Sequence, residues 1–472
     1  MEDYEFDLAI IGAGPGGYVA AIRAAQLGAK VALIEKDRVG GTCLNRGCIP
    51  TKAVLQTVEV HRIIERAPAW GVKAELKGIE LANVRRFRDE TVRRMVKGVE
   101  TLLKGHKVTL YRGLGAFLDL HTLRVTGEEG ETTLRAKRFI IATGSEPARP
   151  PIPGLDLPGV VDSDEIMGLE SVPATLVIVG AGVIGMELAT VFNGLGSQVT
   201  VLEMLPRILP PADGPIATRF LGLAKRQGIK VMTSVRVESI EPEGEKLKVN
   251  YTHIGKEAPS TCAIADKVLI AVGRRPYTAG LNLEDIGVKT ERGAIIVDEA
   301  LCTSVPHIYA IGDCIGKAML AHKASYEGEI AAENALGKSR RVDYTALPYC
   351  IYTHPEIAGV GLTEEAAKES GVDYGTATFP FTANARAWAI GYAEGLVRLI
   401  YEKGSRKLLG AHVMGPWAGE LIGELALAVR LGLKTDEIAE TMHPHPSLSE
   451  AVMEAAKAAS YGEAIHYRRL KR

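Results

Sequence analysis

The sequence predicts an α/β protein with two similar βαβ domains and a separate α+β domain after them. The prediction rests on a repeated pattern, in which a short apolar strand runs into a glycine-rich turn and then into a helix. The pattern spans residues 6–35 and recurs at residues 176–203. At 472 residues the chain also exceeds the roughly 250–300 residues at which single cores stop growing, so several domains are expected.

Composition and charge exclude several classes of function. With 46% hydrophobic and 24% charged residues the chain has the composition of an ordinary globular protein. Its 56 basic and 57 acidic residues nearly cancel, so no broad positive field favours nucleic acid. No apolar run approaches the roughly 18 residues of a membrane span, and the acidic start is unlike a signal peptide. We expect a cytoplasmic protein that binds neither nucleic acid nor membranes.

The first βαβ unit is predicted to bind a dinucleotide. A strand at residues 6–11 leads into the turn GAGPGG at residues 12–17, followed by a helix at 18–27 and a strand at 30–34. In such a turn the glycines allow a tight bend, close approach of a pyrophosphate and packing of helix on strand. The helix N-terminus attracts the negative charge, and an acidic residue after the second strand can hold a ribose. The predicted ligand-binding residues are Gly12, Gly14, Gly17 and Glu35.

The second unit repeats the first at a constant offset. A strand at residues 176–179 leads into a glycine turn at 180–185, followed by a helix at 186–195 and a strand at 198–202. Gly180 follows Gly12 by 168 positions, and Glu203 follows Glu35 by the same number. A second dinucleotide site is therefore predicted at the residues Gly180, Gly182, Gly185 and Glu203. Because a carboxylate at this position would repel a 2′-phosphate, NAD is favoured over NADP. Arg207 is close by and is interpreted as an ordinary surface arginine.

The stretch GGTCLNRGCIPTK at residues 40–52 contains the cysteine pair Cys43 and Cys48. In a regular helix, residues five positions apart lie roughly 8–9 Å from each other, beyond the separation of about 7 Å that a disulfide tolerates. The segment is therefore expected to bend near Asn45 and Gly47, with Pro50 delaying the next helix. A reversible bridge is favoured, with zinc binding and two unrelated buried cysteines as the alternatives. Buried positions are predicted for the other cysteines, Cys262, Cys302, Cys314 and Cys350.

Further motifs extend the pattern along the chain. They are ATGS at 142, GAGVIGMELA at 180, AVGRRP at 271, AIGD at 310, MLAHKA at 319, YTHPEIAGVG at 352 and HPHPSLSE at 443. With GAGPGG and the cysteine stretch, they make the chain resemble the pyridine-nucleotide disulfide oxidoreductases over essentially its whole length. Among these it most resembles the members that oxidise dihydrolipoyl groups.

The resemblance implies two Rossmann-like dinucleotide-binding domains, the first for FAD and the second for NAD, and a C-terminal α+β dimerisation domain. The implied boundaries are 1–146 for the first part of the FAD domain, 147–272 for the NAD domain, 273–342 for a central domain completing the FAD site, and 343–472 for the interface domain. The proline- and glycine-rich residues 147–158 fit a crossover between domains.

The resemblance also assigns cofactor contacts. Glu35 would hold the adenosine ribose of FAD, and Asp313 would lie near its ribitol. The other implied FAD contacts are Thr42, Lys52, Gly115, Thr143, Gly144, Ser145, Met319, Ala321 and His322. The NAD site would add Val237 and Gly273 to the second glycine loop.

In the same resemblance Cys48 lies against the flavin and Cys43 exchanges with the substrate. Lys52 would sit near the flavin ring and pair with Glu187. No metal is expected.

The implied base is His445 held by Glu450, because a thiol attacks only as thiolate and a histidine titrates near neutrality. His443 is a competitor for this role. In the family the base reaches the active site of the partner subunit, so an obligate homodimer is implied.

The implied reaction moves electrons from dihydrolipoyl groups through the cysteine pair and FAD to NAD⁺. The partners would be the lipoyl-bearing core of a 2-oxo acid dehydrogenase complex and its subunit-binding domain. The alternatives are a glutathione or mercuric reductase-like enzyme and a flavoprotein acting mainly as a docking subunit. The chain ends at residues 467–472 without the cysteine pair expected of a mercury enzyme. Arg46 departs from the small apolar residue common in the family.

Overall fold

The computed structural model describes residues 4–255 and 260–468. The chain forms two compact units, the first from Met1–Pro151, Val161–Val172 and Leu269–Val342, and the second from Ile152–Val160, Pro173–Val268 and Asp343–Arg472. Within the described residues, no helix has the length and apolar character needed to cross a membrane. The division into four domains stays a prediction.

In the described residues, helices and strands alternate around the two glycine loops, whereas strands follow one another without an intervening α-helix over residues 109–179 and 230–310. The helices are α1 (Pro15–Gln26), α2 (Gly41–Asn45), α3 (Cys48–Arg66), α4 (Leu81–Gly105), α5 (Val183–Gly194), α6 (Gly214–Arg226), α7 (Ala321–Ala335), α8 (Glu364–Glu369), α9 (Ala385–Ala389), α10 (Ala418–Leu431), α11 (Thr435–Glu440) and α12 (Glu450–Tyr461). The strands are β1 (Phe6–Ile11), β2 (Val31–Glu35), β3 (Thr109–Arg112), β4 (Leu114–Phe117), β5 (Thr122–Gly127), β6 (Gly130–Ile141), β7 (Ser145–Pro147), β8 (Val160–Asp162), β9 (Thr175–Val179), β10 (Gln198–Leu202), β11 (Lys230–Met232), β12 (Val235–Glu243), β13 (Lys246–His253), β14 (Thr261–Ala265), β15 (Lys267–Ile270), β16 (Arg274–Pro276), β17 (Thr290–Glu291), β18 (Ala294–Ile295), β19 (Ile308–Ala310), β20 (Tyr349–Ile351), β21 (Glu356–Gly361), β22 (Tyr374–Pro380), β23 (Leu396–Glu402) and β24 (Leu408–Gly415).

The first unit is built on one sheet in the order β3-β2-β1-β6-β5-β4, with β19 beside β6. Strands β1, β2, β3, β6 and β19 pair in parallel, whereas β4 and β5 add an antiparallel edge. Strand β2 is buried at every position, as expected where helices cover both faces of a parallel sheet. Helix α1 packs against α7 over this core. The carboxyl ends of β1 and β2 carry the first glycine loop and Glu35.

The second unit contains three sheets among its described residues. Strands β11, β10 and β9 are parallel neighbours, with β15 on the other side of β9. Strands β12, β13 and β14 form an antiparallel sheet. The C-terminal part is an antiparallel sheet in the order β20-β21-β24-β23-β22, on which α10 and α12 pack. The predicted α/β class with a C-terminal α+β part is confirmed.

The predicted strand bounds at β1 and β10 match the structure, but both glycine-loop helices begin three residues earlier than predicted. Helix α1 begins at Pro15 rather than Tyr18, and α5 begins at Val183 rather than Met186. The prediction assigned residues 15–17 and 183–185 to the glycine turns, whereas in the structure they form the first turn of each helix. The earlier start places the helix N–H groups directly at the loop.

Candidate active site

The first glycine loop can be formed only without side chains at two of its positions. Gly12 has φ +102°, and a Cβ there would lie 2.3 Å from the Ala142 carbonyl oxygen. A Cβ on Gly17 would lie 1.8 Å from the Gly12 carbonyl oxygen. Gly14 is the N-cap of α1 and makes no side-chain cap, so the first N–H groups of the helix are available to an anion. The loop therefore fits a pyrophosphate.

Two buried carboxylates are held in the same way in the two repeats. Glu35 accepts the Ala13 N–H at 2.7 Å and the Asp37 N–H at 2.8 Å, one on each oxygen. Glu203 accepts the Ala181 N–H at 2.6 Å and the Leu205 N–H at 2.7 Å. The residues that form these hydrogen bonds in the two repeats are thus also 168 positions apart. Because each carboxylate oxygen has two lone pairs, both groups can still accept a ribose hydroxyl.

Asp313 belongs to a hydrogen-bonded chain. Ser145 Oγ donates to Asp313 Oδ2 at 2.6 Å, and Arg274 Nε donates to Ser145 Oγ at 2.9 Å. Arg274 also pairs with Asp164 at 2.9 Å. The structure therefore brings the predicted residues Ser145 and Asp313 together. The role of Arg274 was missed, although the residue stands in the motif AVGRRP.

The sequence also did not reveal a buried ion pair that contacts the backbone of Gly312, next to Asp313. Lys323 and Glu327 form an ion pair at 3.0 Å, with 1% and 0% of their side chains exposed. Glu327 Oε2 accepts the Gly312 N–H at 2.7 Å, and Lys323 Nζ donates to the Gly312 carbonyl oxygen at 3.4 Å. The pair fixes the peptide groups next to Asp313. Its signal in the sequence is the i,i+4 spacing of opposite charges on one helix.

The other predicted FAD contacts lie in the first unit at the ends of its elements. Thr42 lies in α2 and Gly115 in β4, where a Cβ would touch Ile11 and Ile34 at 3.3 Å. The segment from Thr143 to Ser145 follows β6, with Thr143 Oγ1 donating to the Tyr277 carbonyl oxygen at 2.6 Å. Met319 precedes α7, and Ala321 and His322 are the first two residues of that helix.

The predicted NAD contacts are distributed over three elements. Gly182 is the N-cap of α5, and Gly185 is buried in its first turn. Val237 is buried on β12, next to an irregularity in the pairing with β13. Gly273 has φ +118°. Their contacts with a nucleotide stay predictions.

The cysteine segment is bent as predicted. Helix α2 ends at Asn45 and α3 begins at Cys48. The N–H groups of Arg46 and Gly47 both donate to the Thr42 carbonyl oxygen, at 2.9 and 2.7 Å. The expectation that Pro50 delays the helix is wrong. Pro50 is the third residue of α3, where a backbone N–H has no intrahelical acceptor, so the missing donor costs nothing.

Both cysteines are free thiols in contact with each other. The hydrogen bond with Cys48, burial and the charge of Cys48 raise the pKa of the Cys43 thiol, whereas the charge of Lys52 lowers it. The protonated form of the Cys43 thiol is therefore favoured, and its deprotonation depends on a base outside the pair.

The prediction for the four other cysteines is correct only for Cys314, which is buried. Cys262 is exposed, and Cys302 and Cys350 are partly exposed. Cys262 lies on β14, the edge strand of a three-stranded sheet whose positions there are largely open to solvent. An apolar run on such an edge need not be buried.

His445 and Glu450 are brought together at the end of the C-terminal sheet domain. His445 Nδ1 lies 2.9 Å from Glu450 Oε1, and the Ser447 N–H donates to Glu450 Oε2 at 2.8 Å. Burial raises the pKa of Glu450, but the hydrogen bonds from Ser447 and His445 outweigh it, and the pKa is lowered. The carboxylate therefore stays ionised and keeps a proton on Nδ1, which leaves Nε2 as the proton acceptor.

His443 has a different environment. Its Nε2 lies 2.9 Å from Glu424 Oε1, and its Nδ1 lies 2.9 Å from the Thr441 carbonyl oxygen. The hydrogen bond with Glu424 raises the pKa of His443. Because both ring nitrogens face acceptors, the imidazolium form is favoured. The competing assignment of the base to His443 is therefore disfavoured.

Glu187 is buried and accepts the Tyr352 N–H at 2.8 Å. Its pairing with Lys52 stays a prediction. Arg46 pairs with Asp37 at the surface, with 47% of its side chain exposed. The departure from a small apolar residue at this position is therefore accommodated outside the core.

Comparison with known proteins places the chain in one family. The pyridine nucleotide-disulphide oxidoreductase family matches residues 6–328, and its dimerisation domain matches residues 347–456. The chain belongs to this family, as predicted.

Individual relatives narrow the class further. The chain is 42% identical to the mitochondrial dihydrolipoyl dehydrogenase of Schizosaccharomyces pombe, over 98% of the chain and 91% of the relative. It is 44% identical to the mitochondrial dihydrolipoyl dehydrogenase of Pisum sativum, over 98% and 93%. The crystal structure of LpdA from Mycobacterium tuberculosis is similar with a TM-score of 0.89 and 27% identity, over 95% of this chain and 98% of that one.

Proposed function

We propose that this chain is a dihydrolipoyl dehydrogenase that binds FAD at the first glycine loop and NAD at the second. The observation that carries the proposal is the contact of the Cys43 and Cys48 thiols in a bent segment next to that first loop. The identities of 42–44% to dihydrolipoyl dehydrogenases over nearly the whole chain support it. The net reaction converts a dihydrolipoyl dithiol and NAD⁺ into a lipoyl disulfide, NADH and a proton.

Bound FAD would supply a two-electron acceptor between the dithiol and NAD⁺. The chain holds each cofactor by a glycine loop for the pyrophosphate and a buried carboxylate for a ribose, Glu35 in one case and Glu203 in the other. The Glu203 carboxylate favours NAD over its 2′-phosphorylated form by charge repulsion.

The cysteine pair exchanges with the substrate disulfide and dithiol. A substrate thiolate attacks Cys43 and forms a mixed disulfide, releasing Cys48 as thiolate, and the second substrate thiol then displaces Cys43. Each attack needs a deprotonated sulfur. In the direction of dihydrolipoyl oxidation, a base must therefore take the proton of the attacking substrate thiol. The base then returns a proton to Cys43 as it leaves, because the raised pKa of Cys43 favours its protonated form.

We assign this base to His445, whose Nε2 can accept the proton while Glu450 stabilises the resulting imidazolium. The base would act on the cysteine pair of a second copy, with the dimerisation domain at residues 347–456 forming the contact. We further infer that the lipoyl-bearing core of a 2-oxo acid dehydrogenase complex and its subunit-binding domain are the partners.

A substrate panel tests the proposal. The FAD-loaded protein is assayed with NADH and each of lipoamide, glutathione disulfide and thioredoxin, and then with NADPH in place of NADH. The proposal expects lipoamide with NADH to give the highest kcat/KM. A preference for glutathione disulfide would establish the alternative reductase. Binding to a lipoyl-bearing core without turnover of free dihydrolipoamide would establish the docking subunit.

A further inference from the structure

The loop after Glu203 closes on the second glycine turn. The Ala181 N–H donates to Glu203 at 2.6 Å, and the Leu209 N–H donates back to the Ala181 carbonyl oxygen at 2.9 Å. The loop of residues 203–209 is therefore hydrogen-bonded at both of its ends to Ala181. Arg207 lies within this loop and is the only cationic residue among residues 203–209.

Arg207 is restrained by two acceptors. Its Nη1 pairs with Glu365 Oε1 of helix α8 at 2.7 Å, and its Nη2 donates to the Pro210 carbonyl oxygen at 3.2 Å. Both contacts lie in the second compact unit. Some of the N–H donors of the guanidinium are therefore already occupied. The same forked array of donors is what binds a phosphate.

Gly214, the first residue of helix α6, has no side chain and so leaves space for the ion pair between Arg207 and Glu365. A Cβ on Gly214 would lie 2.2 Å from Glu365 Oε1 and 3.0 Å from Arg207 Nη1. Burial raises the pKa of Glu365, but backbone hydrogen bonds, including one from Gly214, and the charge of Arg207 outweigh it, and the pKa is lowered. Glu365 is therefore ionised at neutral pH and restrained by α6 as well as by Arg207.

We propose that Glu365 is a specificity residue, which withholds Arg207 from the 2′-phosphate of NADP and so adds to the repulsion by Glu203. The proposal rests on the assignment of NAD to the second loop. It assigns the C-terminal domain a part in cofactor choice, because α8 lies within the residues that match the dimerisation domain. With Glu365 neutralised, Arg207 can turn to a 2′-phosphate.

The test measures binding rather than turnover. Isothermal titration of the full FAD-loaded protein gives the dissociation constants of adenosine 2′,5′-bisphosphate and of 5′-AMP, and their ratio isolates the 2′-phosphate. Glu365→Gln keeps the size of the side chain and an acceptor for the Gly214 N–H. The substitution is expected to lower the dissociation constant of adenosine 2′,5′-bisphosphate, relative to that of 5′-AMP, by about three- to fivefold. This factor corresponds to the free energy of one exposed ion pair. Glu365→Lys, which repels Arg207, is expected to lower this ratio further.

Two variants serve as controls. Glu369→Gln removes one negative charge from an exposed position of the same helix and is expected to leave the ratio at the parental value. Arg207→Ala combined with Glu365→Gln is expected to lose the gain. An unchanged ratio in both Glu365 variants would overturn the proposal, and so would a gain that persists without Arg207. A parental preference for NADPH in turnover would instead contradict the assignment of NAD, whatever the Glu365 variants do.

Discussion

The assignment of the base predicts a large difference between two histidines that are two positions apart. His445→Gln is expected to lower kcat for dihydrolipoamide oxidation by about 10²–10⁴-fold, the usual contribution of a general base. His443→Gln is expected to change it by less than about threefold, since a favoured imidazolium is a poor proton acceptor.

Glu450→Gln is expected to lower kcat by less than His445→Gln and by more than His443→Gln. The carboxylate accepts one hydrogen bond on each oxygen, from His445 and from Ser447, whereas an amide has only one oxygen. One of the two contacts is therefore lost, at a cost of about 1–3 kcal/mol, which corresponds to roughly five- to 150-fold in rate.

The assay is NADH formation at 340 nm with dihydrolipoamide, at saturating NAD⁺ and equal FAD content. A His445→Gln variant with parental kcat, or a larger loss in His443→Gln than in His445→Gln, would refute the assignment of the base. Normal FAD content in all three variants separates a loss of catalysis from a loss of folding.

Three further predictions follow from the thiol pair, the first loop and the packing of α1. Cys48→Ser is expected to abolish dihydrolipoamide turnover with FAD still bound. Cys262→Ser, at an exposed position, is the control and should keep parental turnover. Activity at the parental rate in Cys48→Ser would contradict electron transfer through the cysteine pair. Gly17→Ala is expected to lower the free energy of unfolding by about 1–3 kcal/mol or more, measured with denaturant, because its Cβ would overlap the Gly12 carbonyl oxygen. Gly98→Ala in α4, where a Cβ would meet nothing within 4 Å, is the matched control and should not destabilise. Hydrogen bonds from Arg23 lower the pKa of Glu333 to about 2, so its stabilising contribution is present above pH 4.5 and is lost as the pH falls towards 2. In thermal unfolding, Glu333→Gln should therefore lose stability at pH 7 and flatten this acid dependence, whereas Glu329→Gln on the same helix should do neither.

The repeat was predictable from the sequence because it depends on local chemistry. Glycine at position 17 is required by overlap with the Gly12 backbone within one βαβ unit, whereas at position 12 the overlap is with Ala142, which follows the neighbouring strand β6. Glu35 is the last residue of β2 and Glu203 directly follows β10, so the position of each carboxylate is fixed by the strand end. The bounds of β1 and β10 could be predicted for the same reason, whereas β2, predicted at residues 30–34, is shifted by one residue to 31–35. The helix starts could not, because the last three residues of each glycine-loop motif, 15–17 and 183–185, form the first turn of the helix.

The contacts that the sequence did not reveal join residues far apart in the chain. Arg274 reaches Ser145 across 129 positions, and Arg207 reaches Glu365 across 158. Charged residues of this kind look like solvated surface until the fold brings their partners to them. The distinction between His443 and His445 likewise depends on Glu424 and Glu450, and only the second of these lies in the same motif. The exposure of Cys262 depends on its strand being an edge, which its own sequence does not encode.

The most direct test is to map the thiols that change state during turnover. The oxidised, FAD-loaded protein is reduced anaerobically with dihydrolipoamide, alkylated and analysed by peptide mass spectrometry, with and without excess NAD⁺. The account predicts that Cys43 and Cys48 become alkylated on reduction and are protected again when NAD⁺ is in excess. Formation of NADH with neither cysteine changing its reactivity would contradict it.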